Sequence, residues 1–169
     1  EKLASIFNFS DDSVKKVSKD FRGLEGRKEF VAEVSGRRFI NDTCATHPSA
    51  VSFALEEFKK PNLILGGVDK MFSDGDIKEL AEKIERREIK TILLPGTFSD
   101  RIKEALGFDY KAQFLFEVSD MKEAVSSSFS LSKKGETILL SPGGASFNLF
   151  INEFDRGEQF VKAINKLKD

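Results

Sequence analysis

The chain has 169 residues, 40% of them apolar and 33% charged, with 27 basic side chains against 28 acidic ones. That size supports one well-buried globular domain, and a formal net charge of -1 without a basic stripe argues against a nucleic-acid or membrane-surface protein. No apolar run approaches membrane-spanning length, no signal peptide opens the chain, and one cysteine, Cys44, cannot close an internal disulfide, which fits a reducing cytoplasm.

Leu3, Ile6 and Phe7 stand at helical spacing, so residues 1–9 read as the tail of a helix already under way. Ser10-Asp11-Asp12 is an N-cap cluster, and Val14, Val17 and Phe21 mark the next helix. No strand accompanies these helices. The expectation is that residues 1–22 are the end of a preceding domain and that residues 23–169 form a second one. Arg22 to Arg27, broken by Gly23 and Gly26, is hinge-like.

Beyond the hinge, Glu29–Val34 and Arg38–Asn41 flank Ser35-Gly36 as a β-hairpin. A polar loop from Asn41 to Pro48 follows, with Pro48 in the first turn of a helix whose stripe is Val51, Ala54, Leu55 and Phe58. Strands and helices then alternate. Leu63-Ile64-Leu65 is a strand, and Ile77, Leu80, Ala81 and Ile84 mark an amphipathic helix. Thr91–Leu94 is a strand, Ser99–Leu106 a short capped helix, Phe114–Val118 a strand and Asp120–Phe129 a helix. Thr137 to Leu140 is a buried strand, which Ser141-Pro142-Gly143-Gly144 ends. Ala145-Ser146 opens the last helix, with Phe147, Phe150, Ile151 and Phe154 on one face. This alternation predicts an α/β fold: a Rossmann-like, mostly parallel sheet with helices on both faces and an N-terminal hairpin. Seventeen phenylalanines without a tryptophan report core packing.

In such a sheet, ligands bind at the carboxyl ends of the strands. Three polar loops fall there: Asn41–Pro48, Gly66–Lys70 and Ser141–Ser146. A strand, a glycine-rich turn and a helix start also make an anion site, because free N–H groups and the helix dipole point the same way. The glycines alone describe an ordinary strand-to-helix turn equally well. Hydroxyls, N–H groups and one lysine on converging loops specify an anionic ligand and nothing finer.

At these loops the sequence resembles the C-terminal domain of the Mur ligases. The matching residues are Gly23-Leu24-x-x-Arg27-x-Glu29, Phe39-Ile40-Asn41-Asp42-Thr43-x-Ala45-Thr46, Leu65-Gly66-Gly67-x-Asp69-Lys70 and Leu140-Ser141-Pro142-Gly143-x-Ala145-Ser146-Phe147, closed by Asn152-x-x-x-Arg156-Gly157. They span residues 23 to 157 in order, and the DNPR-type signature of the diamino-acid-adding relatives is absent, which favours the D-glutamate-adding branch. The resemblance implies the last domain of a three-domain ATP-dependent ligase of cell-wall peptidoglycan synthesis. Such an enzyme phosphorylates the carboxylate of UDP-N-acetylmuramoyl-L-alanine, and the amine of D-glutamate attacks the acyl phosphate. The chain has no GxxxxGK[ST] phosphate loop. ATP and Mg2+ are therefore expected to be held mainly by the central domain, with the N-terminal and central domains as partners and this piece inactive alone.

Residue by residue, the resemblance assigns Arg27 and Asp42 to the nucleotide and Thr46, Lys70, Ser146 and Phe147 to D-glutamate. No catalytic residue and no metal ligand is assigned. A guanidinium suits phosphate or ribose oxygens, a lysine suits a carboxylate, and the Ser146 hydroxyl with the Phe147 N–H at a helix start suits the other carboxylate. The ring of Phe147 is expected in the core. Asp69 is expected to orient Lys70 or cap a helix, and His47 to cap one. Three positions depart from the family pattern: Cys44 where lysine or threonine is common, read here as a small buried residue; Gly26 where histidine is; and Glu153-Phe154 where an aromatic precedes an acid. A folylpolyglutamate-type amide ligase and a non-catalytic Rossmann-like binding module are the other function classes.

Overall fold

The computed structural model describes residues 6–21 and 23–168; the start of the expected first helix, residues 1–5, lies outside them. Helix α1 (Asp11–Asp20) is capped by the Ser10 hydroxyl, which accepts from the Ser13 N–H, and none of its residues is buried. The hairpin is β1 (Glu29–Val34) and β2 (Arg37–Asn41). Next come α2 (Pro48–Glu57), β3 (Asn62–Gly66), α3 (Asp74–Arg86) and β4 (Thr91–Leu94). The chain continues with α4 (Thr97–Ala105), α5 (Phe108–Phe114), β5 (Leu115–Glu117), α6 (Met121–Leu131), β6 (Thr137–Gly143) and α7 (Glu153–Asn165).

The six strands form one sheet in the order β1-β2-β6-β3-β4-β5, antiparallel only between β1 and β2. Strand β6 slots between β2 and β3. The chain must therefore leave β2, cross to β3, build outward to β5 and return, which makes the β2/β6/β3 junction a switch point. Successive side chains alternate between two apolar layers. Leu63, Leu65 and Leu139 pack with α2, α3, α4 and α5, while Ile64, Ile138 and Leu140 pack with α6 and α7.

Four local expectations are corrected. Helix α5 precedes β5, so the strand is shorter than Phe114–Val118. Seven residues are too few to show a helical period, and α5 is anchored by buried Tyr110, whose hydroxyl lies 2.9 Å from Thr91 Oγ1. Helix α4 starts at Thr97, and its N-cap Gly96 has no side-chain cap. Ser99 does not cap it; its hydroxyl donates to the Leu94 carbonyl at 2.5 Å and accepts from the Gly67 N–H at 3.2 Å. Strand β6 runs through Ser141-Pro142 to Gly143, because a register irregularity against β3 between Ile64 and Gly66 tolerates the missing proline N–H.

The fourth correction bears on the site. No helix begins at Ala145-Ser146. Ala145 instead exchanges backbone hydrogen bonds with Val68, both at 2.8 Å, and Ser146 to Asn152 turn once before α7 starts. The Asn152 side chain caps that helix by accepting from the Asp155 N–H. Phe150 is buried, while Phe147 is 71% and Ile151 81% exposed, so the expected apolar helix face does not exist and the Phe147 ring is not core.

Candidate functional site at the loop end of the sheet

The loops after β2, β3 and β6 are laced together by their backbones. The Asp42 N–H donates to the Leu140 carbonyl at 2.7 Å and the Gly143 N–H to the Ala45 carbonyl at 2.8 Å. The Val68–Ala145 exchange joins the other pair of loops. Gly67 (φ +123°) lies so close to Ala145 that a Cβ would run into its carbonyl, and a Cβ on Gly66 (φ +134°) would run into that of Leu94, so packing accounts for this glycine pair.

Beneath the loops lies a buried polar layer. Asp42 is buried, with Oδ2 accepting from the Ser141 hydroxyl at 2.8 Å and Oδ1 from the Lys28 N–H at 3.1 Å. Burial pushes its carboxyl above the usual range; the Ser141 and Lys28 hydrogen bonds, and the charges of Lys28 and Arg27, oppose the shift without cancelling it. Arg156 is wholly buried. Its Nε donates to Thr43 Oγ1 at 3.0 Å, Nη2 to the Thr43 carbonyl at 2.8 Å and Nη1 to the Gly144 carbonyl at 3.0 Å. One guanidinium thus ties the loop after β2 to the loop after β6. Burial lowers its pKa to about 10, so it stays charged at neutral pH.

Above this layer, Lys70 and Thr46 meet: Lys70 Nζ donates to Thr46 Oγ1 at 3.1 Å, and Lys70 is exposed. An ammonium has three donors, so two remain for a ligand. Ser146 is buried one residue beyond the Ala145 bridge, and its carbonyl accepts from the Leu149 and Phe150 N–H groups at 3.2 and 3.0 Å. The expected helix-start amides at Phe147 are therefore replaced by a single turn. Arg27 is exposed on the hinge side, where its charge reaches Asp42 without forming an ion pair.

Asp69 neither orients Lys70 directly nor caps a helix. It accepts from the Phe72 N–H at 3.0 Å and pairs with Arg101 at 2.8 Å. Burial alone would raise its carboxyl, but these two donors outweigh it and hold the group below its ordinary range. His47 is the N-cap of α2, accepting from the Ser49 N–H at 3.2 Å, and its ring meets Phe72 edge-on at 4.8 Å. Cys44 is half-buried, and burial raises its thiol pKa. Gly26 is buried against Thr43 and Cys44, where a Cβ would come within 2.9 Å of Thr43 Cγ2. At the third departure, the Glu153 carbonyl accepts from the Thr43 hydroxyl at 2.8 Å and Phe154 is exposed.

Two residues escaped the sequence reading. Arg156 lies in a matched motif but received no role; the available signal was its place on the buried stripe it shares with Phe160, Ala163 and Ile164. Arg101 gave no local signal, because its partners Asp69 and Asp74 are 32 and 27 residues away.

Residues 26–144 match the family described as Mur ligase, glutamate ligase domain. The chain belongs to that family. It is similar to UDP-N-acetylmuramoylalanine--D-glutamate ligases from several bacteria. The one from Caldanaerobacter subterraneus subsp. tengcongensis is 35% identical over 98% of this chain. Those from Bacteroides fragilis and Bacillus subtilis are 39% and 37% identical over 97% and 94% of it. The chain spans only 34–36% of the length of these relatives. Among solved structures, the UDP-N-acetylmuramoylalanyl-D-glutamyl-2,6-diaminopimelate--D-alanyl-D-alanyl ligase from Acinetobacter baumannii superposes with a TM-score of 0.61 at 16% identity, covering 97% of this chain and 33% of that one. The bifunctional folylpolyglutamate synthase/dihydrofolate synthase from Yersinia pestis gives 0.58 at 17% identity, covering 94% of this chain and 35% of that one. These two likenesses carry the fold alone.

Proposed function

We propose that this chain is the amino-acid-binding part of an ATP-dependent ligase that adds D-glutamate to UDP-N-acetylmuramoyl-L-alanine in the cytoplasm. The observation that carries the reading is the meeting of Lys70 and Thr46 at the switch point, within a chain 35–39% identical to D-glutamate ligases. D-glutamate has two carboxylates and an amine that must stay unbound to attack. The Lys70 ammonium binds one carboxylate, with Thr46 holding the ammonium in place, and Ser146 on the neighbouring loop serves the other. Phe147 contributes its backbone N–H rather than its ring. None of these groups competes for the amine. Fixing the amino acid on laced loops makes its attack on the activated muramoyl carboxyl close to unimolecular.

Residues 1–22 belong, on this reading, to the domain preceding residues 23–169. The exposed Arg27 guanidinium fits a nucleotide phosphate or ribose. Asp42 fits less directly, since both of its oxygens already accept hydrogen bonds within the protein. Mg2+ and most of the ATP contacts are assigned to the remainder of the protein, as the missing GxxxxGK[ST] phosphate loop suggests.

The test is phosphate release by the full-length protein with ATP, Mg2+, UDP-N-acetylmuramoyl-L-alanine and one amino acid at a time. Release is expected with D-glutamate and not with meso-diaminopimelate, and the 169-residue chain alone is expected to release none. Turnover with another amino acid in place of D-glutamate overturns the reading.

A further inference from the structure

Lys70 lies on a short turn between β3 and α3 that is tied both within itself and to α4. Met71, next to it, has φ +63°, a left-handed conformation that a residue with a side chain adopts only when its surroundings impose it. Phe72, buried against His47 and Phe98, anchors one end of the turn, and α4 supplies the polar restraint. The Asp69 N–H donates to Thr97 Oγ1 at 2.9 Å. Arg101 Nη1 donates to Asp69 Oδ2 and to the Phe72 carbonyl, both at 2.8 Å, and Nη2 to Asp74 Oδ1 at 2.5 Å. The turn closes on itself through the Phe72 N–H and Asp69 Oδ1 at 3.0 Å. Lys70 and Met71 are thus the tip of a segment gripped at both ends by one planar guanidinium.

We propose that Arg101 is a positioning residue for the amino-acid substrate: by clamping Asp69 and Phe72 it fixes the direction in which Lys70 presents its ammonium beside Thr46. The inference rests on the assignment of Lys70 to the substrate carboxylate. It depends on the fork of Arg101 rather than on its charge, because one ammonium cannot reproduce the same planar set of donors. Arg101 is part-exposed, at 26% of its side chain, so its removal leaves no buried cavity.

The experiment is steady-state kinetics of the full-length protein carrying Arg101→Ala, Arg101→Lys, Lys70→Ala and the Arg101→Ala/Lys70→Ala pair, with D-glutamate and ATP varied in turn. Arg101→Ala is expected to raise the KM for D-glutamate on the order of tenfold with the KM for ATP unchanged, and Arg101→Lys to recover little of the loss. In the Lys70→Ala background, Arg101→Ala is expected to add less than about twofold, because its effect passes through Lys70. If Arg101→Ala multiplies the Lys70→Ala defect in full, or leaves the D-glutamate KM unchanged while Lys70→Ala raises it, the clamp is overturned and the pocket stands. If Lys70→Ala itself leaves the D-glutamate KM unchanged, the pocket falls and the clamp with it. Should Arg101→Ala fail to fold, Asp69→Asn cuts the same ion pair from the other side and is read against the same outcomes.

Discussion

Arg156 and Lys70 are two cations at one end of one sheet, and their surroundings are opposite. Arg156 is wholly buried and donates to two backbone carbonyls and a hydroxyl. Lys70 is exposed, donates one hydrogen bond to a hydroxyl and lies over the Phe72 ring at 5.9 Å. The first donates from each of its three nitrogens to groups inside the protein and serves to hold loops. The second keeps donors in reserve, as the proposed contact with a substrate carboxylate requires. The same contrast separates the carboxylates: Asp42 is buried and satisfied from within, while Asp74 lies on the surface and joins an outer clamp. A polar residue at the loop end is therefore read by where its hydrogen bonds go and not by its type.

The largest effect is expected from Arg156→Met, which leaves the Thr43 and Gly144 carbonyls without their donor. We expect a stability loss of about 3 kcal/mol or more, read by denaturant unfolding of the 169-residue chain. A loss under about 1 kcal/mol would mean the loops hold without the brace. Lys70→Ala should do the converse in the full-length protein. D-glutamate use is expected to weaken by roughly ten- to a hundredfold, with ATP dependence little affected and stability within about 0.5 kcal/mol of the parent. Equal effects on binding and stability would erase the distinction between the two cations.

A smaller effect concerns Asp42. Its raised carboxyl means the folded chain holds that proton more tightly than the unfolded chain does, so its contribution to stability is present below the ordinary carboxylate pKa. That contribution is lost as pH rises through the shifted value. Asp42→Asn removes the loss and can keep both hydrogen-bond partners. Its stability relative to the parent is expected to improve as pH rises from about 4 towards neutrality and then level off. Unfolding curves at several pH values check this, and a difference that shrinks with rising pH contradicts the buried, uncompensated carboxylate. The smallest effect should come from removing residues 1–22. Helix α1 buries none of its residues, so unfolding of the remainder should stay cooperative with a midpoint stability within about 1 kcal/mol. A larger loss, or a non-cooperative transition, places the domain boundary elsewhere.

The α/β sheet, the hairpin, the starts of α1, α2 and α6 and the three polar loops at one end of the sheet were legible in the sequence because each rests on local chemistry. Apolar runs such as Leu63-Ile64-Leu65 have only a buried strand to form. Ser10 and Asp120 cap helices through side chains a few residues from the amides whose hydrogen bonds they accept. The family motifs likewise brought Thr46 and Lys70 into one proposal, and the structure puts them in contact. The features invisible to local reading are those in which a residue's partner is far along the chain. Ala145 looked like a helix start until its backbone found Val68, 77 positions earlier, and the helix then had to wait for the cap at Asn152. Pro142 looked like a strand breaker until the bulge against β3 removed the need for its N–H. Arg156 reaches Thr43 across 113 positions and Arg101 reaches Asp69 across 32. A buried donor must find an acceptor wherever the fold supplies one, and that address is set by which strands lie side by side, a fact no stretch of sequence carries by itself.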